Sequence, residues 1–353
     1  MPKHYVFFIF SLNGGGSAKI ILRLAERASE KSKVTLVTTE EPNGAYQIPA
    51  QIRVCVLSRN QFQIFPKNIN AYISIFFGLR RFLKYNPADN FISFIHIANI
   101  VGTLASIGIA KKIIVCERSD LQKTRIKKAW KVIRPWVYRF ADQIILQNVS
   151  DRVNLPNYLQ SKITVAPNPM KDYKFSMPVE RRNRLVSVGR LHPVKRYELL
   201  LEIVEPILKS NSNFELWICG EGKEKNKLEI LIRKLELEGQ VKLTGHLENV
   251  EEVVNSSKIF LMTSESEGQP NALIEAALHG LSVICFDTSP CFKELKEEFP
   301  QIKTIQDGDI EAFRTTLSEL IIKKETFTYS EQIEKLDRWN EKAFYQWDMI
   351  IYE

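Results

Sequence analysis

Two glutamates, Glu267 and Glu275, bracket a Gly, a Pro and an Asn in the stretch SEGQPNALIE. An ionised carboxylate offers hydrogen-bond acceptors only, so what such a spaced pair would read depends on where the chain puts it. The preceding run IFLMT is short, apolar and bounded by polar residues, and reads as a buried strand. ALIEAALHG then has helix spacing and stops at Gly280. This places Glu267 at a strand's carboxyl end and Glu275 about two turns into the next helix. In open α/β sheets, ligands bind in that crevice. A second stretch, VSVGRLHPVKRYELLL, runs from strand through a glycine turn to Arg190, Pro193 and Lys195, then into a helix. A planar guanidinium and a compact ammonium at a helix entrance suit a diphosphate. The plainer reading of this stretch alone is a solvated loop whose cations pair with nearby acids. FELWICGEG and VKLTGHL repeat the strand-to-glycine turn at Gly220 and Gly245. Three neighbouring strands ending in Gly, followed by the two-glutamate element, make one rim.

Near the start, FSLNGGGSAKIILRLAERA puts Gly15 and Gly16 between a strand and a helix. The spacing is neither GxGxxG nor GxxxxGK[ST], so neither dinucleotide nor P-loop binding is supported. Glycine still allows backbone N–H groups to approach a phosphate closely, although a flexible turn would use the same residues. His96 lies in the apolar run FISFIHIANI, where packing is an alternative to chemistry. A DxD pattern occurs only as DGD, residues 307–309, in a stretch that reads as a surface turn.

These residues need a scaffold. Apolar strand-like runs alternate with helix-like segments along the chain: YVFFIFS, VTLVTT, IRVCVL, FISFI, KIIVCE, QIILQ and ITVAP, then RLVSVG, FELWICG, VKLTG, KIFLMT, SVICF and IKTI. Such alternation predicts parallel sheets covered by helices, here two of them. At 353 residues two domains are expected. The linker falls in NPMKDYKFSMPVERRN, which has two prolines, many charges and no periodicity. The first domain spans 1–168 and the second 169–339, with a helix at about 340–353 packing back on the first. Five cysteines, mostly in apolar runs and without CxxC spacing, predict thiols in a reducing cytosol. The apolar N-terminal run is too short for a signal peptide, and no stretch approaches the ~20 residues of a membrane span.

Charge is divided unevenly. Residues 1–170 carry 24 Lys+Arg against 9 Asp+Glu, and the remainder carries 25 against 32. Within the basic half, FPKNINAYISIFFGLRRFLKY and LQKTRIKKAWKVIRPWVYRF join cations to aromatic and aliphatic residues without an acid. Such segments suit an anionic membrane interface, as against core packing with a solvated basic face. Nucleic acid is excluded as a partner, because no nucleic-acid motif is present and the acidic half would oppose it.

Taken together, GRLHPVK, CGEG, the run TGHLENVEEVVNSSKIFLMTSESEGQPNALIEAALHG and the N-terminal GGGSAK resemble the retaining GT-B glycosyltransferases of the family-4 type. The mark is E-x7-E, met by Glu267 and Glu275. NPM at 168–170 matches the family's NP segment, and CERSD resembles the SERxD of polysaccharide-assembling members. The N-terminal loop departs from GGxER, with Ala18 and Lys19 in place of Glu and Arg.

The resemblance implies two Rossmann-like α/β domains with parallel sheets facing a central cleft. It also implies sugar transfer, with retention, from a nucleotide-sugar donor (UDP-linked) to a lipid-linked or saccharide acceptor in bacterial surface polysaccharide or glycoconjugate synthesis. Arg190 and Lys195 would hold the diphosphate, Glu275 the ribose, and Glu267 would face the sugar, with Pro270 and the backbone amides of Gln269 and Asn271 beside the donor. Gly15, Gly16, Gly220 and Gly245 would line the donor, and His96 would be the N-domain histidine near the sugar. The nucleotide-sugar is the substrate; no cofactor and no metal are expected. The protein would be cytoplasmic, peripheral on the inner face of the cell membrane. The alternatives are a same-fold sugar-nucleotide epimerase and a non-catalytic sugar-nucleotide or membrane-binding module.

Overall fold

The computed structural model describes residues 2–13, 15–44, 46–57, 67–118, 121, 127–170, 181–323 and 329–352. Ser119, Asp120, Arg125 and most of the predicted linker lie outside them. The chain divides into two compact units, Met1–Pro169 with Ala343–Glu353, and Met170–Lys342.

The first unit is built on a described seven-stranded sheet: β1 (His4–Phe8), β2 (Lys33–Thr38), β3 (Arg53–Val56), β4 (Asn90–Phe94), β5 (Lys112–Cys116), β6 (Gln143–Leu146) and β7 (Ile163–Val165). Its order is β3-β2-β1-β4-β5-β6-β7, and the paired strands are parallel, with Phe7 beside Leu36 and Ile92. The strands read as continuous apolar runs because both faces are covered. Period-two alternation sends Val6 and Phe8 to one core, with Leu79, Ile100 and Val137 from the helices Lys67–Tyr85, His96–Ser106 and Lys128–Tyr138. Tyr5, Phe7 and Ile9 go to the other, with Ile21 and Leu24 from Gly16–Ser29.

The second unit repeats the plan with a described six-stranded sheet: β8 (Arg184–Val188), β9 (Glu215–Cys219), β10 (Val241–Gly245), β11 (Ile259–Met262), β12 (Ser282–Phe286) and β13 (Ile302–Ile305). The order is β10-β9-β8-β11-β12-β13, again parallel. Leu185, Leu216, Ile218 and Leu261 pack against the helices Tyr197–Ser210, Lys225–Lys234 and Ile310–Ile322. Val186, Phe260 and Val283 pack with Leu273 and Phe292 from Asn271–Leu278 and Cys291–Glu298.

The last helix, Tyr329–Tyr352, is shared between the units. Leu336 and Trp339 enter the second core, whereas Trp347, Ile350 and Ile351 enter the first. Trp347 is fully buried and its indole N–H donates to the Pro167 carbonyl at 3.0 Å, so its one polar atom is satisfied. The cysteines are free thiols, four of them buried.

Each sheet reverses direction once in its strand order, between β1 and β4 in the first and between β8 and β11 in the second. These are the topological switch points, where the loops leaving adjacent strands diverge to opposite faces and open a crevice.

Candidate active site

In the second unit, Arg190 and Lys195 follow β8, and Glu267 follows β11, the two strands at the switch point. The structure brings Lys195 and Glu267 together: Nζ lies 2.6 Å from Oε1, and the side chains are 20% and 12% exposed. Arg190 is exposed and makes no ion pair among the described residues. The plainer expectation, a loop cation paired with an acid, therefore holds for Lys195, but its partner is the predicted sugar-facing glutamate from a strand 72 residues on.

Several contacts hold these loops. The Glu267 amide donates to Ser289 Oγ (3.0 Å), and Thr288 Oγ1 donates to the Ser264 carbonyl (2.9 Å). Glu265 N–H donates to the Val194 carbonyl (2.8 Å), and Thr263 Oγ1 donates to the Lys195 carbonyl (2.9 Å). Arg196 sits in the left-handed region at φ 50° and spans the gap. Its Nε donates to the Thr263 carbonyl at 2.6 Å, and its Nη2 pairs with Asp307 at 2.7 Å. Sequence reasoning missed Arg196, Thr288 and Ser289; only the cation of Arg196 gave a signal. The DGD turn is exposed as expected, with Asp307 on Arg196 and Asp309 capping the helix Ile310–Ile322 through the Ala312 amide (3.0 Å).

Gly220 and Gly245 close the neighbouring strands, and Gly220 N–H donates to the Gly245 carbonyl at 2.9 Å. A Cβ on Gly220 would lie 2.1 Å from the Gly189 carbonyl oxygen, and one on Gly222 2.2 Å from that of Leu191. These glycines let the β9 loop press against the Arg190 loop, fixed by Leu191 N–H on the Glu221 carbonyl (2.8 Å). Gln269 and Pro270 precede the helix Asn271–Leu278, and Glu275 is its fifth residue. That is about one turn in, not two, because residues 264–270 stay in the loop and the helix begins only after Pro270. The helix ends as expected: Gly280 has φ 74°, Leu281 N–H reaches the Ala276 carbonyl and Gly280 N–H that of Ala277.

Beside this helix end, His279 is buried, and burial above all pushes its pKa down to about 4, with Arg181 adding to the effect and Glu251 opposing it. The unfolded chain therefore binds a proton that the folded chain refuses between 6.5 and about 4. Stability from this group is complete above pH 6.5 and falls as pH drops through that window, by about 3 kcal/mol in all. Urea titrations at pH 7 and pH 4.5 should show a smaller acid loss for His279→Gln than for wild type; equal losses would remove His279 as the cause.

In the first unit, Gly15 follows β1 and His96 follows β4, the switch-point pair of the first sheet. Gly15 has φ 96° with open space where a Cβ would stand, so backbone conformation demands the glycine. Gly16 opens the helix Gly16–Ser29, and the Gly15 carbonyl accepts from Ala18 N–H. His96 is the first residue of the helix His96–Ser106, and Ile95 before it has φ 74°. A β-branched residue there stores roughly 1–3 kcal/mol of strain, a cost that recurs at functional sites. His96 Nδ1 lies 3.0 Å from Oε2 of Glu117, which is 2% exposed. Burial pushes the Glu117 carboxyl up, but His96, Arg134 and Tyr138 outweigh it and hold the group below the usual carboxylate range.

Comparison with known proteins follows the same lines. Residues 170–344 match the family described as Glycosyl transferases group 1. An alpha-1,4-N-acetyl-D-galactosaminyltransferase of Campylobacter jejuni, named for GalNAc-alpha-(1->4)-GalNAc-alpha-(1->3)-diNAcBac-PP-undecaprenol, is 26% identical over 91% of this chain and 89% of its own. The amylovoran biosynthesis glycosyltransferase AmsD of Erwinia amylovora is 24% identical over 69% of each chain. Among solved structures, the lipopolysaccharide outer core galactosyltransferase WaaB superposes with a TM-score of 0.73 at 17% identity, covering 99% of both chains. Anabaena HepE in complex with UDP and glucose gives 0.75 at 13% identity, covering 98% of this chain and 94% of that one. The chain has the GT-B fold, and the family match and relatives support a glycosyltransferase.

Proposed function

We propose that this GT-B protein is a retaining glycosyltransferase of the family-4 type that moves a sugar from a UDP-sugar to a lipid-linked saccharide in bacterial surface polysaccharide or glycoconjugate synthesis. The observation that carries it is the meeting of the Arg190–Lys195 loop and the Glu267 loop at the second sheet's switch point. The relatives' names support the acceptor class: the Campylobacter enzyme is named for an undecaprenol-linked saccharide and AmsD for amylovoran biosynthesis. UDP and glucose in the HepE structure support the donor class.

In this reading Arg190 and Lys195 hold the diphosphate. As the bond from the anomeric carbon to the diphosphate breaks, they stabilise the charge that gathers on the leaving oxygen. The acceptor hydroxyl oxygen forms the new bond to that carbon on the same face and gives up its proton to the leaving diphosphate oxygen. Glu275 accepts from the ribose hydroxyls, and Glu267 faces the sugar with the amides of Gln269 and Asn271. Gly15 and Gly16 leave room for the phosphates, and His96 faces the sugar. The donor is a substrate, and no metal or cofactor is assigned to the site.

The test is direct. UDP-, GDP- and ADP-sugars are screened by thermal shift, where a ligand at 100 times its Kd adds about 2.7 kcal/mol. The stabilising donor is then incubated with an undecaprenol-linked saccharide, and the product anomer is read by NMR. An inverted anomer refutes retention, and no transfer from any stabilising donor refutes the transferase reading. Within the site, Glu275→Ala should mainly raise the donor KM, since ribose contacts exist in ground and transition states alike. Glu267→Ala should mainly lower kcat. Identical profiles for the two variants would show that their roles are misassigned.

The membrane completes this proposal. No described helix is long and apolar enough to cross a bilayer. The helix Lys128–Tyr138 and the residue after next expose Val132, Ile133, Trp136 and Phe140, whose spacing puts them on one face. Exposed Lys127, Lys128 and Arg139 flank them. We assign this basic, apolar face to an anionic lipid surface, with the protein peripheral on the inner face of the cell membrane.

A further inference from the structure

We propose that Glu117 is a positioning residue that fixes the tautomer of His96, so that His96 presents Nε2 as an acceptor for a substrate hydroxyl. The inference rests on the reading in which His96 faces the sugar, and its test separates the two.

β4 and β5 pair with Phe94 opposite Cys116, so the residues just beyond them, His96 and Glu117, leave the same edge of the sheet. The Glu117 amide donates to the Ile145 carbonyl (2.9 Å), which fixes its backbone to the next strand. Its two carboxyl oxygens are divided. Oε2 takes His96 Nδ1 at 3.0 Å; Oε1 takes the Tyr138 hydroxyl and has Arg134 Nη1 at 3.9 Å. The direction of each bond is determined. Asn99 Nδ2 donates to the Tyr138 oxygen at 3.2 Å, so the Tyr138 proton is left for Glu117. Asn99 is itself held, donating to the Cys116 carbonyl at 3.0 Å.

Glu117, Arg134 and Tyr138 are buried, and a buried carboxylate that takes two hydrogen bonds beside a guanidinium 3.9 Å away stays ionised. An ionised carboxylate can only accept, so Nδ1 of His96 must carry the proton. When the ring carries that one proton, its lone pair lies on Nε2, across the ring from Nδ1. A hydrogen bond to a buried carboxylate also fixes the ring's orientation, as it does for the histidine of a hydrolase triad.

The isosteric change Glu117→Gln makes the inference testable because the amide has one oxygen where the carboxylate has two. Tyr138 and Arg134 are both donors and claim that oxygen, which turns the amide N–H toward His96 Nδ1. The tautomer should therefore invert. In 15N-histidine NMR, wild-type His96 is expected as the Nδ1–H form and E117Q as the Nε2–H form. In transfer assays E117Q should lose about 10²-fold or more in kcat, with donor KM within threefold of wild type. His96→Ala should lose at least as much, and the double variant should be no worse than His96→Ala.

A wild-type His96 in the Nε2–H form overturns the proposal whether or not E117Q folds. So does a folded E117Q that keeps the wild-type tautomer, or one that inverts it while keeping wild-type kcat when His96→Ala does not. Tyr138→Phe retains the carboxylate and should retain both the tautomer and kcat within threefold. A large kcat loss there with the tautomer unchanged would reduce the cluster to packing and overturn the proposal. If E117Q inverts the tautomer yet it and His96→Ala both transfer sugar at the wild-type rate, Glu117 still sets the ring, and it is the placement of His96 at the sugar that fails.

Discussion

Arg190→Ala and Lys195→Ala are each expected to lower kcat by about 10²–10³, the loss of one preorganised charge contact worth roughly 3–4 kcal/mol in the transition state. The two variants should differ in everything else. Arg190 is exposed, so its removal should leave the melting temperature unchanged. Lys195 is bound at 2.6 Å to Glu267, a side chain only 12% exposed. Removing the lysine leaves that carboxylate without its cation, which should destabilise the fold by roughly 1–3 kcal/mol. The double variant Lys195→Ala/Glu267→Ala should recover most of this stability while being at least as slow as Lys195→Ala. Kinetics with a saturating donor and thermal melts of all three proteins provide the measurement. A wild-type kcat in both single variants would remove the diphosphate assignment. Strict additivity of the melts in the double variant would mean that the ion pair contributes nothing to the fold.

That ion pair also marks where the sequence stops being readable. Strands such as SVICF are buried along their whole length, so burial on both faces imposes a continuous apolar run. The end of the helix at Gly280 was legible for the same reason: a positive φ selects glycine locally. The Lys195–Glu267 contact has no local signature, because it depends on β8 and β11 being neighbours although two strands separate them in sequence. Glu117 is a similar case. CERSD drew notice as a motif, but its glutamate meets His96 only through the pairing of β4 with β5. Gly220 shows a different limit. The sequence signalled a glycine after a strand and suggested a ligand, whereas the Gly189 carbonyl oxygen, which would lie 2.1 Å from a Cβ at that position, supplies a steric demand for glycine within the protein itself. The ties from Arg196, Thr288 and Ser289 were not legible at all, since loop-to-loop hydrogen bonds carry no period.

Replacing Lys127, Lys128, Lys131 and Arg139 with Gln should lower the partition coefficient onto anionic vesicles by about 10³ at low salt. Each cation near an anionic leaflet contributes about 1 kcal/mol, so four contribute about 4, and tenfold in affinity is about 1.4. The same binding in the wild type should weaken as salt shortens the Debye length. It should not vanish, because Trp136 is 61% exposed and Phe140 56% exposed on the face that the cations flank, and their insertion does not depend on ionic strength. Arg139 contributes to both parts, with its guanidinium 5.4 Å from the Trp136 ring. The measurement is cosedimentation with phosphatidylglycerol-containing and purely phosphatidylcholine vesicles over a salt series. Donor binding, read by thermal shift, should be unchanged in the quadruple variant, since none of the four residues lies in the second unit. Equal binding to the two vesicle types would refute the electrostatic assignment. The basic face would then have to serve the pyrophosphate of a lipid-linked acceptor, and the variant would raise the acceptor KM in detergent, where no membrane surface remains.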